Sequence, residues 1–213
     1  MTDKKISNQE FLQKVKNAKV IPVLKFENTE DAMNTINALS AGGIQIAEIT
    51  YRTEKASECI KMISQKFPDM LVGAGTITNV KKAKDAVLNG AKFIVMPGYD
   101  KKTVSWCIRK KIPVVPGDAT PSEIMKAVNK GINVLKLFPA EVSGGIKLLR
   151  ALKGPFYDVN FIPTGGITSE NAKEYLALSN VIAVGGTWIA GEDAVKNKQW
   201  QLITQEAEKI REI

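Results

Sequence analysis

One rhythm constrains this chain more than any other feature. Brief β-branched or apolar runs recur at Val20–Leu24, Ile44–Thr50, Leu71–Gly75, Phe93–Met96, Ile112–Val115, Val134–Phe138, Phe161–Thr164 and Val181–Val184, about 20 to 27 residues apart. Between them the apolar positions change to helical spacing, as at Ala32, Ile36 and Leu39, or Ile124, Ala127 and Val128. Glycines at Gly42–Gly43, Gly90 and Gly131 stop helices shortly before the next run. Asn28/Thr29, Thr53, Thr78/Asn79 and Thr120-Pro121 with Glu123 stand where helices should start. Strand alternating with helix implies parallel pairing and right-handed crossovers. Eight such units in 213 residues predict an α/β chain forming a single (β/α)8 TIM barrel over residues 1–213, with an additional N-terminal helix over roughly Ile6–Lys16. An open doubly wound sheet would place a glycine-rich phosphate loop after its first strand, where Lys25-Phe26-Glu27-Asn28 stands instead.

The chain has no histidine. That argues against Ser-His-Asp and Cys-His nucleophile systems, HExxH zinc sites and His-ligated metals together. Chemistry must run on carboxylates, Lys, Tyr, Cys or backbone amides. The two cysteines, Cys59 and Cys107, sit at apolar helix positions and read as packed thiols in a reducing compartment. Met1 to Glu10 is polar, and no run approaches the ~18 apolar residues of a membrane span. A cytoplasmic protein with no membrane partner is expected. The net charge of +8 is spread over lysine-rich helix faces, without the basic clusters and stacking aromatics of a nucleic-acid binder. It suits the attraction of a small phosphorylated anion.

Residues at the C-terminal ends of barrel strands converge on one mouth, so polar residues there carry the functional information. Lys136 interrupts the apolar strand Val134-Leu135-Lys136-Leu137-Phe138 and shares a face with Val134 and Phe138. It is either a structural cation or a nucleophile, because desolvation is how an amine becomes nucleophilic at neutral pH. In Glu48-Ile49-Thr50-Tyr51-Arg52, alternation puts Glu48, Thr50 and Arg52 on one face. Glu48 is either the ion-pair partner of Lys136 or a general acid and base in the place of histidine. Glycine pairs end the last two runs, at Thr164-Gly165-Gly166 and Gly185-Gly186-Thr187, where barrels commonly cradle phosphate on bare amides.

Glu48-Ile-Thr-Tyr-Arg52-Thr, Gly73-Ala-Gly-Thr76, Lys136-Leu-Phe138-Pro-Ala, Gly154-Pro-Phe, Pro163-Thr-Gly-Gly-Ile and Val184-Gly-Gly-Thr-Trp follow in this order. Together they closely resemble the bacterial 2-keto-3-deoxy-6-phosphogluconate (KDPG) / 4-hydroxy-2-oxoglutarate (KHG) aldolases, over Val20 to Trp188. The resemblance implies a class I aldolase without cofactor or metal. Lys136 would form the Schiff base and Glu48 would move protons. Arg52 and Thr76 would hold the pyruvate carboxylate. Phe138, Pro97 and Thr164 would wall the pocket, and Gly165, Gly166, Gly186 and Thr187 would cradle phosphate, with Thr187 where a serine is usual. A homotrimer is also implied. The chain departs from the family pattern at Met96-Pro97-Gly98, at Asp118 and at Lys25.

The expected reaction is cleavage of KDPG to pyruvate and glyceraldehyde 3-phosphate. The same chemistry on 4-hydroxy-2-oxoglutarate or on 2-keto-3-deoxy-6-phosphogalactonate is the second reading, and a non-catalytic phosphate-binding barrel is the alternative from another class.

Overall fold

The computed structural model describes residues 6–210. In chain order the elements are α1 (Asn8–Ala18), β1 (Val20–Leu24), α2 (Thr29–Ala41), β2 (Ile46–Thr50), α3 (Ala56–Lys66), β3 (Leu71–Gly75) and α4 (Val80–Leu88). There follow β4 (Phe93–Val95), α5 (Lys101–Lys110), β5 (Val114–Val115), β6 (Gly117–Asp118), α6 (Pro121–Val128), β7 (Val134–Leu137) and α7 (Gly145–Leu152). The chain ends with β8 (Asn160–Phe161), α8 (Ala172–Leu176), β9 (Val184–Gly186), a 3-10 turn (Trp188–Ala190), α9 (Glu192–Lys196) and α10 (Trp200–Lys209).

All strand pairs are parallel. Six strands lie in the order β5-β4-β3-β2-β1-β9, and three in the order β6-β7-β8. Two seams relate these sheets. At one, β5 and β6 are separated by Pro116, whose carbonyl accepts from Lys136 N at 2.9 Å. At the other, Thr164 bridges Gly185 in parallel, and Gly185 N donates to Pro163 O at 2.8 Å. Pro116 and Pro163 lack the N–H a ladder needs. β5 ends just before Pro116 and β6 starts just after it, beyond the Ile112–Val115 run. The seventh run forms a ladder only at Asn160–Phe161, short of the Phe161–Thr164 expected, although Ile162 N and Thr164 N still donate to Leu135 O and Leu137 O, and the last strand starts at Val184.

The helix boundaries follow local chemistry. Asn28, Asn79 and Asp100 cap α2, α4 and α5, each side chain accepting a hydrogen bond from a backbone amide three residues on. Thr120, Pro121 and Glu123 form a capping box at α6. Thr53 caps nothing, since α3 starts only at Ala56 and the Thr53 hydroxyl donates to Phe26 O at 2.6 Å. Gly43, Gly90 and Gly131 take positive φ after α2, α4 and α6, a conformation glycine adopts without a Cβ clash.

Strand alternation sends Ile21, Phe93, Val95, Val115 and Ile162 into a shared central space with Glu48 and Lys136. Phe11 of α1 reaches the same space and stacks on Phe93, with ring centroids 5.1 Å apart. Phe93 in turn lies against Gly73, where a Cβ would come within 2.2 Å of the ring. Helix α1 therefore plugs the strands from one side while the strand ends face the other. Cys59 and Cys107 are free and buried, and burial pushes their thiols up to about 11 and about 12. Trp106 and Trp200 are partly buried against the core. Among the described residues no helix is long and apolar enough to cross a membrane.

Candidate active site

Among the described residues only three Asp, Glu, Lys or Arg side chains are buried: Glu48, Asp118 and Lys136. All three lie on strands, β2, β6 and β7. Burying an ion costs several kcal/mol unless it is compensated, so each needs an explanation.

Lys136 and Glu48 face each other. Nζ lies 3.6 Å from Glu48 Oε1, and the residues are only 4% and 3% exposed. That separation is too long for a good hydrogen bond, and Oε1 has no other hydrogen-bond partner. A carboxylate placed for support alone would be expected to satisfy its lone pairs. Lys136 Nζ also stands over the Phe138 ring, 5.0 Å from its centroid. Glu48 reaches this place because Gly75 on the adjoining strand has no side chain. A Cβ there would lie 2.0 Å from Glu48 Oε1. The sequence shows Gly75 within the motif Gly73-Ala74-Gly75-Thr76 but gives it no role of its own, although a glycine inside an apolar strand is itself a signal of close approach.

Arg52 stands beyond the end of β2, exposed, and its Nε donates to Thr76 Oγ1 at 3.1 Å. Thr76 follows β3 with φ at +55°, a region that β-branched residues rarely enter. This strain holds the hydroxyl beside the guanidinium, and such outliers cluster at ligand sites. Thr50 shares the Glu48 face but donates to Leu24 O at 2.9 Å, so it ties β2 to β1. Tyr51, on the opposite face, donates to Asp85 at 2.8 Å.

Thr164 is buried and lines the Lys136 space. Because Thr164 pairs with Gly185, the segments Gly165–Gly166 and Gly186–Thr187 leave adjacent strand ends together. Gly165 and Gly166 have φ of +97° and +80°, and neither amide has an acceptor among the described residues. Consecutive free amides are the kind of backbone that can accept an anion. Gly186 lies under the Trp188 ring, which would meet a Cβ at 1.8 Å, while Thr187 is exposed. Pro97 backs onto Gly117, the register partner of Lys136. Lys25, at the end of β1, pairs with Glu27 at 3.0 Å and approaches Glu192 at 3.8 Å.

Asp118 is 1% exposed and neither carboxylate oxygen has a partner. Burial first, then the nearby Glu123, pushes its carboxyl up to about 7 against the pull of Lys126. It pairs in register with Leu137 and does not line the Lys136 space.

Parallel strands here carry a buried amine and an unsatisfied carboxylate toward one centre of an α/β enzyme. The sequence profile of the KDPG and KHG aldolases matches residues 11–206, and the chain belongs to that family. It is 41% identical over 185 residues to the 2-dehydro-3-deoxy-phosphogluconate aldolase of Dickeya dadantii, covering 87% of each chain. It is 39% identical over 186 residues to the KHG/KDPG aldolase of Escherichia coli K12, again covering 87% of each. The crystal structure of KDPG aldolase from Legionella pneumophila, with pyruvate captured at low pH as a covalent carbinolamine intermediate, superimposes with a TM-score of 0.91. That match has 41% identity and covers 93% of this chain and 97% of the other.

Proposed function

We propose that this protein is a class I aldolase that cleaves 2-keto-3-deoxy-6-phosphogluconate to pyruvate and glyceraldehyde 3-phosphate. The observation that carries the reading is the 3.6 Å approach of Lys136 Nζ to an otherwise unpartnered, buried Glu48 Oε1. Lys136 adds to the C2 ketone to give a carbinolamine, and loss of water leaves an iminium. Arg52 and Thr76 hold the substrate carboxylate at the strand ends. Glu48 takes the C4 hydroxyl proton, the C3–C4 bond breaks, and its electron pair moves into the iminium to form an enamine. The aldehyde leaves, and Glu48 returns the proton to the enamine carbon. Water hydrolyses the pyruvyl imine and frees the amine. Phe138, Pro97 and Thr164 shape the pocket, and the free amides at Gly165 and Gly166, with Gly186 and Thr187, receive the phosphate. No cofactor or metal takes part.

In the same reading the two sheets form one closed (β/α)8 barrel, spanning the whole chain as a single domain with α1 as an additional N-terminal helix. The bridge from Thr164 to Gly185 and the Lys136–Pro116 hydrogen bond support closure. The enzyme works as a cytoplasmic homotrimer on a small phosphorylated keto acid, with no nucleic-acid partner.

Borohydride reduction in the presence of pyruvate tests the mechanism. One reduced pyruvyl adduct per chain at Lys136 is expected, and none in Lys136→Ala; an adduct elsewhere, or none in the wild type, refutes it. Comparing kcat/KM for KDPG, its galactonate epimer and 4-hydroxy-2-oxoglutarate tests the substrate. A preference for KDPG of less than about tenfold, or about 1.4 kcal/mol, would remove the specificity assignment.

A further inference from the structure

The segment after β7 does more than end the lysine strand. Ala140 N donates to Thr164 O at 2.9 Å and Glu141 N donates to Gly165 O at 3.1 Å. The Glu141 side chain lies against the second glycine, where a Cβ on Gly166 would come within 2.5 Å of Glu141 Cγ. Tyr175 of α8, fully buried, donates its hydroxyl to Glu141 Oε1. Burial and this bond both push the phenol further above its ordinary range, so it stays a donor. Gly145 makes room for the pair, since a Cβ there would sit 2.7 Å from the Tyr175 hydroxyl and 3.0 Å from Glu141 Oε1. On the other flank, Asn171 Nδ2 donates to Gly166 O at 3.0 Å while its Oδ1 accepts from Thr168 N at 2.9 Å.

These bonds fix two peptide planes. In a trans peptide the C=O of one residue and the N–H of the next point in opposite directions. Holding Gly165 O on the Glu141 amide therefore turns Gly166 N–H the other way, and holding Gly166 O on Asn171 does the same for Ile167 N–H. Neither amide has an acceptor among the described residues. We propose that Glu141, Tyr175 and Asn171 are positioning residues that hold the Gly166 and Ile167 amides toward the phosphate of the substrate. The inference rests on the phosphate reading of the double glycine. The Tyr175 hydroxyl donates to Glu141 Oε1, so that this carboxylate oxygen is engaged with the phenol. Preorganised amides bind an anion without a further ordering cost; Asn171 supplies this directly through its side chain, and Tyr175 supplies it by holding Glu141, whose backbone amide holds Gly165 O.

The test compares Tyr175→Phe, Asn171→Ala and Glu141→Gln with the wild type on KDPG and on unphosphorylated 4-hydroxy-2-oxoglutarate. Tyr175→Phe and Asn171→Ala each raise KM for KDPG about tenfold, the scale of one lost hydrogen bond, with kcat within about twofold. Their KM for 4-hydroxy-2-oxoglutarate and their rate of pyruvate trapping by borohydride change less than about twofold. Glu141→Gln, which keeps an acceptor for Tyr175, stays close to wild type. Equal KM changes on both substrates, or a wild-type phosphate preference that survives both variants, overturn the inference alone. A wild type indifferent to the phosphate group, with no competition by inorganic phosphate, overturns the phosphate reading and this inference with it. Asn171 is only half-buried, so its variant stays informative if Tyr175→Phe fails to fold.

Discussion

Glu48 and Lys136 face each other in an apolar space at 3.6 Å, too far for a good hydrogen bond, and buried polar groups without such a bond are costly. The glycine at position 75 makes the arrangement possible, and Thr76 beside it adopts a strained φ that aims its hydroxyl at Arg52. These features separate the two roles sharply. Glu48→Gln removes the proton acceptor while keeping the shape, so Lys136 should still be trapped by borohydride with pyruvate. Exchange of the pyruvate methyl protons should fall about 100-fold or more, the usual size of an acid–base contribution. NMR of pyruvate in heavy water measures this directly, and equal exchange rates in variant and wild type would remove Glu48 from the proton-transfer role.

At the scale of elements, the strands were legible wherever they were long and unbroken: β1 and β3 begin and end where their apolar runs do. Legibility failed around Pro116 and Pro163, where the assigned strands break although nothing in the hydrophobic pattern registers it. Lys136 and Glu48 could be found because an ion inside an apolar strand is conspicuous by composition. The supports of the double glycine could not, since Glu141, Asn171 and Tyr175 lie on different segments and meet only in three dimensions. Asp118 falls between these cases, visible in sequence as a family departure but not as an unpartnered buried carboxyl. Burial raises its carboxyl first, and the capping box beside it adds to this. Ala119 N and the Thr120 hydroxyl and amide donate to Glu123, which lowers that carboxyl and keeps it charged against Asp118. Unfolded, Asp118 would release its proton near ~3.9, whereas folded it does so near 7. Between those values the folded chain binds more protons, so stability falls as pH rises and reaches its lower level above about 7. Asp118→Asn should therefore raise Tm by a few degrees at pH 8, the shift expected from ~1 kcal/mol or more in a chain of this size, and by little at pH 4. Thermal melts across that range check it, and a gain independent of pH would contradict the assigned cause.

At the scale of the molecule, the proposed closure would account for β2 and β7 reaching one centre, since Glu48 and Lys136 sit on different sheets. On one side residues 161–164 meet 180–185 through three hydrogen bonds, Phe161 N to Asn180 O, Ile182 N to Phe161 O and Gly185 N to Pro163 O. Gly185 serves three neighbours at once. It pairs with Ile21 of β1, bridges Thr164 and lines the Lys136 space. A Cβ there would meet Thr164 Oγ1 at 2.3 Å, with backbone packed on both sides. In a closed ring neither strand can yield without breaking its other pairing, so Gly185→Ala should cost about 1–3 kcal/mol, the usual scale of overpacking. It should also lower kcat/KM by displacing Thr164 from the pocket. Gly154→Ala is the control, since a Cβ there meets nothing within 4 Å and its φ is ordinary, and it should stay within about 0.5 kcal/mol of wild type. Were the two sheets joined loosely, Thr164 would move aside and Gly185→Ala would unfold in urea at the same midpoint as Gly154→Ala. Parallel urea titrations of the two variants thus test closure without any measurement of activity, and the kinetics then show whether the seam and the catalytic centre move together.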